Sequence, residues 1–191
     1  MKPLLAAALL CSFVSAAHAG VSQRVNYHYF TVGGVNAGSI YNSVINNSDL
    51  KGGRHTLATT DVTMDPKIST AKSGRCRATG FNVALTFDVN LPRLSDTASL
   101  SPGLRREWQG FVQHLKVHEA HHRTIWMGCA AAYSNALQSL VGSDCAGLSD
   151  KMNARWDQIE KTCRARNQAF DAAESRRIRS QSFVSRALGD R

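Results

Sequence analysis

The chain has 191 residues, 43% of them hydrophobic, and a formal net charge of +9. That is enough for one domain with a real core. Its longest apolar run, near the N-terminus, is too short to span a bilayer as a helix, which excludes a transmembrane helix.

Residues 1–19, MKPLLAAALLCSFVSAAHA, read as an export signal. Lys2 supplies the positive start, an apolar run extends from Leu4 to Val14, and Ala17-His18-Ala19 gives a small-x-small cleavage pattern. The mature chain then starts at Gly20 and works in the periplasm or outside the cell. A lipidated cysteine wants a small residue before it; Cys11 follows Leu9-Leu10, so a lipoprotein signal is the poorer reading. Losing Lys2 leaves a mature net charge of +8. The last thirty residues crowd Arg164, Arg166, Arg176, Arg177, Arg179, Arg186 and Arg191 together. A solvated basic tail over residues 181–191 is expected. It carries at most a weak affinity for anionic surfaces and no specific nucleic-acid partner. Cys76, Cys129, Cys145 and Cys163 survive cleavage, and in an oxidising compartment they predict two disulfides with three possible connectivities. No pair has the two-to-four-residue spacing of a cysteine zinc site.

Residues 25–33 (VNYHYFTVG) alternate aromatic and β-branched with polar residues, which predicts a strand ended by Gly33-Gly34. Ile40, Val44 and Ile45 fall at helical spacing, so a short helix is expected over 36–46, followed by loops at 46–48 and 52–53. Residues 55–64 and 78–90 read as strands. Phe81, Val83, Leu85, Phe87 and Val89 step by two and give one buried face. Pro66 and the 70–77 segment should turn the chain between them. Leu91-Pro92 should close the sheet, and 95–103 reads as a linker. Residues 104–140 and 147–178 then carry helical patterns separated by VGSD at 141–144. The expected fold class is α+β: a small N-terminal antiparallel sheet with a short helix, followed by a C-terminal hairpin of two long helices.

His118-Glu119-Ala120-His121-His122 matches the pattern HExxH. On a helix, residues four apart share a face, so His118 and His122 can take two corners of a Zn²⁺ tetrahedron. Glu119 flanks that face, where it can hold a metal-activated water and accept its proton. His114 extends the row, but eight residues span about 12 Å and no single ion reaches both ends. His114 and His121 are therefore read as supporting or surface residues.

A catalytic zinc site wants a third protein ligand. If Cys129 and Cys163 were bridged, antiparallel helices would bring His118 level with Glu174 and His122 level with Phe170. Asp171 and Glu174 fall at that height. Glu174 lies within about 20° of the Cys163 face and Asp171 about 80° away, so helix angle favours Glu174.

The segments YHYFTVGG, HTLATTDVTM and CRATGFNVALTFDVNLP, with Trp108 and HEAHH, together resemble the bacterial domain of unknown function 922 family. That family is predicted to comprise secreted zinc-dependent proteases of the HExxH type, and the resemblance covers most of the mature chain. It implies a single zincin-like α+β domain over 20–180. The family's late Asn-x-x-aromatic-Asp element resembles Asn167-Gln168-Ala169-Phe170-Asp171, which favours Asp171 over Glu174. In that family a Thr and a His-Gly pair follow the aspartate, whereas here the run is AAESRRIRS. The expectation is a secreted zinc peptidase acting on a peptide or protein, with Glu119 catalytic and His118, His122 and Asp171 on the metal. The competing expectation is a zinc-binding or envelope interaction module without hydrolysis.

Overall fold

The computed structural model describes residues 20–48, 50–51 and 54–189. The expected export signal, with Cys11, and the Gly52-Gly53 loop lie outside them. The architecture is mixed α+β, a small sheet with four helices. No helix among the described residues is long and apolar enough to cross a membrane.

Strand β1 (Gly20–Val32) ends at the glycine pair. Gly34 has φ +144, and a Cβ there would stand 2.6 Å from the Ile40 amide nitrogen, so only glycine fits this close approach. Helix α1 (Ala37–Asn47) starts at Asn36, whose side chain accepts the Ser39 N–H while Ser39 Oγ accepts the Asn36 N–H. Its Ile40 and Val44 are fully buried. Strands β2 (Leu50–Lys51) and β3 (Arg54–His55) pair with each other in a two-residue ladder.

β4 (Thr59–Ser73) and β5 (Arg75–Leu94) form a long antiparallel hairpin. The turn lies at Gly74, with φ +74, inside the expected 70–77 segment, whereas Pro66 takes no part in it. Pro66 stays inside β4, paired with Val83. It is tolerated because β4 is an edge strand, whose outer side needs no donor. Pro92 likewise stays inside β5. It sits beyond Asn90, where pairing with β4 stops, so only β1 flanks it.

The sheet order is β1-β5-β4, and β1 runs parallel to β5. This corrects the all-antiparallel expectation. Within this sheet β4 and β5 are joined by a tight turn, whereas α1 and β4 lie between β1 and β5 and supply a crossover long enough for parallel pairing. The alternation along β5 holds for Val83, Leu85, Phe87 and Val89 and extends to Leu91, while Phe81 is only partly buried; each fully buried side chain is worth roughly 1.5–3 kcal/mol.

Helix α2 (Pro102–Leu137) is capped by Ser101, with a proline in its first turn. It packs Trp108, Phe111 and Leu115 into the same core as the β5 face. The expected break at 141–144 contains β6 (Val141–Gly142), which pairs with Cys76 and Arg77 of β5. Asp144 caps α3 (Cys145–Arg179); its carboxylate accepts the Gly147 N–H, and that bond holds its pKa below the usual value. Of the three connectivities, the chain uses Cys76–Cys145 and Cys129–Cys163. The second joins α2 to α3.

The expected basic tail is, through Gly189, a packed helix. In α4 (Ser182–Gly189), Phe183, Val184 and Ala187 are buried. Phe183 stacks on Phe111 at 5.0 Å and meets Trp108 edge-on at 5.1 Å. Arg186 grips both oxygens of Glu107 at 2.7 and 2.6 Å. A count of arginines hides the short apolar stripe that decides this segment.

Candidate metal centre

His118, Glu119 and His122 lie on consecutive turns of α2, and Asp171 reaches them from α3. The Nε2 atoms of His118 and His122 are 3.1 Å apart. Asp171 Oδ1 lies 3.2 Å from the first and 2.9 Å from the second. Three potential ligand atoms thus form a nearly equilateral triangle. A tetrahedral Zn²⁺ with bonds of about 2.0–2.1 Å needs edges of about 3.3 Å between its ligand atoms, close to what this triangle offers. Two imidazole nitrogens and one carboxylate oxygen are also a donor set that suits zinc. These three residues form a metal-capable cluster among the described residues.

The orientation of His122 is fixed from behind. Asn167 donates its side-chain N–H to the Cys163 carbonyl at 2.9 Å, which turns its Oδ1 towards His122. His122 Nδ1 lies 2.6 Å from that oxygen. An amide oxygen can only accept, so the neutral ring carries its proton on Nδ1 and leaves the Nε2 lone pair for a metal. His118 Nδ1 is buried and has no such partner among the described residues. Phe170 holds that ring instead, stacking on His118 at 4.7 Å and on His121 at 4.0 Å.

Glu119 is 3% exposed, and Thr60 Oγ on β4 donates to its Oε2 at 2.7 Å. Burial pushes the Glu119 carboxyl above its usual pKa, against the opposing pull of Thr60 and the nearby histidines. Burial also lowers His122, but its bonds to Asp171 and Asn167 outweigh this and raise it. Asp171 is pushed up by partial burial and pulled further down by the two histidines, ending well below the carboxylate range.

Asp171, and not Glu174, therefore joins the histidine pair. Glu174 sits one turn further along, 3.8 Å from His114, and pairs with Arg177 at 2.8 Å. The helix angle measured from Cys163 favours Glu174, but the contacts run His114–Glu174, His118–Asp171 and His122–Asn167, about three residues off the equal-height register assumed at the disulfide. The two cysteine Cα atoms are 6.4 Å apart, which leaves room for that axial offset. His114 and His121 stay outside the cluster. Sequence reasoning gave no role to Thr60, Phe170 or Asn167. Thr60 lies in the threonine-rich HTLATTDVTM, and the other two lie in the Asn-x-x-aromatic-Asp element, so the signals were present without a contact to interpret them.

The cluster opens onto a cleft of about 870 Å³ between the start of β4, α2 and α3. An α+β scaffold with a His-His-Asp cluster at the floor of a cleft is thus the class this fold and site define. Residues 27–177 match the family described as "Bacterial protein of unknown function (DUF922)", and the chain belongs to that family. No curated protein matches it. No solved structure matches it either.

Proposed function

We propose that the chain is a secreted zinc-dependent metallopeptidase whose HExxH motif lies on a hairpin of two long helices. The observation that carries this reading is the convergence of His118 Nε2, His122 Nε2 and Asp171 Oδ1 beside a buried glutamate. Such a trio with an open side facing a cleft is the arrangement of a catalytic, three-ligand zinc site. When bound there, zinc supplies Lewis acidity, polarising a carbonyl and lowering the pKa of water.

The chain's own residues do the rest. Thr60 holds Glu119 by one oxygen, which leaves the other to accept a proton from the attacking water. The water oxygen bonds to the peptide carbonyl carbon, the C–N bond breaks, and Glu119 returns the proton to the leaving amine. The edge strand β4 borders the cleft and can pair with an extended peptide. Two disulfides suit the periplasm or the cell exterior.

Purified mature protein should hold one equivalent of zinc, and His118→Ala should lose it. Glu119→Gln should keep the zinc and abolish peptide hydrolysis. Unchanged hydrolysis in that variant would sink the mechanism. Zinc retention without hydrolysis in the parent protein would favour a non-catalytic zinc-binding module, a reading supported by the missing His-Gly pair in AAESRRIRS.

A further inference from the structure

The α3 residues that line the cleft are Arg164, Asn167, Gln168, Asp171 and Ile178. At 1.5 Å per residue the stretch from Arg164 to Ile178 covers about 21 Å, with Asp171 at its midpoint. The facing wall, Thr56 to Val62, covers up to about 20 Å if fully extended. Such a cleft accommodates about six residues of extended chain at about 3.3 Å each, with the His-His-Asp cluster at its centre.

The ends of this run differ in chemistry. One carries the apolar Ile178. At the other, Arg164 lies over the Trp126 ring at 6.0 Å. Arg164 is the one cationic side chain among the described residues lining the cleft. Glu160 Oε1 takes its Nε at 3.2 Å and its Nη2 at 2.6 Å, which fixes one edge of the guanidinium. Nη1 has no hydrogen-bond partner among the described residues, and the side chain is 66% exposed. A guanidinium held by one edge beside an aromatic wall is pre-oriented for a second carboxylate.

We propose that Arg164 receives a substrate carboxylate about three residues from the scissile bond, the separation set by the seven-residue step, about 10 Å along the helix, from Arg164 to Asp171. This rests on the peptidase reading. The carboxylate is either an acidic side chain within a longer segment or the free end of the chain.

The test uses zinc-loaded Glu119→Gln protein and six-residue peptides read by fluorescence anisotropy, so binding is measured without hydrolysis. One set is blocked at both ends and carries Glu or Gln at the first or last position. A second set has Gln there and ends in a free carboxylate or an amide. The acid-bearing member of a pair should bind roughly fivefold tighter, the scale of a half-exposed ion pair. That advantage should vanish when Arg164→Gln is added, while the neutral peptides bind both proteins alike. A gain confined to the first set assigns an acidic side chain; a gain confined to the second assigns the chain terminus. Equal binding across all pairs, an advantage that survives Arg164→Gln, or no binding at all overturns the proposal. Failure of the unsubstituted protein to cleave any peptide would sink the peptidase reading separately, with the carboxylate preference still readable.

Discussion

Asn167 decides which nitrogen of His122 faces the cleft, and it does so with two hydrogen bonds that leave its amide no alternative orientation. Asn167→Leu should therefore weaken zinc binding about 10- to 100-fold, the usual cost of removing the group that orients a ligating histidine. Competition against a chelator of known affinity measures this. The same titration repeated across pH reads proton competition. The raised pKa of His122 means its ring holds a proton to a higher pH than a free imidazole in the metal-free protein. Zinc needs the neutral ring, so affinity should begin to fall while the pH is still above about 6.5 and continue downward in acid. Thr60→Val removes the hydroxyl that donates to the Glu119 carboxylate without touching a ligand. It should leave zinc content intact and lower kcat about tenfold, with Thr60→Ser restoring most of it. A loss of zinc in that variant would show that Thr60 supports the helix and not the base. At this scale the sequence was most informative where spacing alone implies contact: His118, Glu119 and His122 follow from helical geometry. Thr60 and Asn167 act across long sequence distances, and no local pattern encodes that.

The two long helices show how far element-level reasoning carries and where it stops. Their existence follows from helical patterns that run proline-free from Leu104 on; the caps at Ser101 and Asp144 start each helix two residues before its pattern does. Their relative height does not, because a disulfide fixes proximity and leaves axial slide free; a shift of three residues exchanges Asp171 for Glu174. The strands tell a similar story. The buried alternation of β5 is legible residue by residue, yet parallel pairing with β1 depends on a crossover whose direction no alternation records. Cys129–Cys163 closes a separation of 34 residues, for which loop entropy gives about 4 kcal/mol. Replacing both cysteines by alanine should cost that much in guanidinium unfolding of the zinc-free protein, since bound metal would mask part of the loss. The same variant should bind zinc more weakly, because Asp171 then depends on packing alone to meet the histidines.

The molecule as a whole is held by a core that draws on the sheet and on helices from both halves of the chain. Val83 to Leu91 of β5, Ile40 and Val44 of α1, Trp108 and Phe111 of α2, and Phe183 of α4 belong to one cluster. Phe183→Ala should cost about 3–5 kcal/mol, the range for emptying a fully buried aromatic position, and circular dichroism melts would read it. A change below 1 kcal/mol would mean that α4 is peripheral. A basic stretch was expected here because arginines crowd the last thirty residues, whereas three apolar residues on one face determine the packing.

The contact of α4 with α1 and α2 also bears on the order in which the core can form. A chain that is made or delivered from its N-terminal end presents α1 and the aromatic face of α2 long before Phe183 arrives to cover them. Closure across so large a sequence separation comes late, after the loop-closing entropy has been met. Protease resistance should accordingly rise in one step with the last helix, and a chain interrupted before Phe183 should remain sensitive along its whole length.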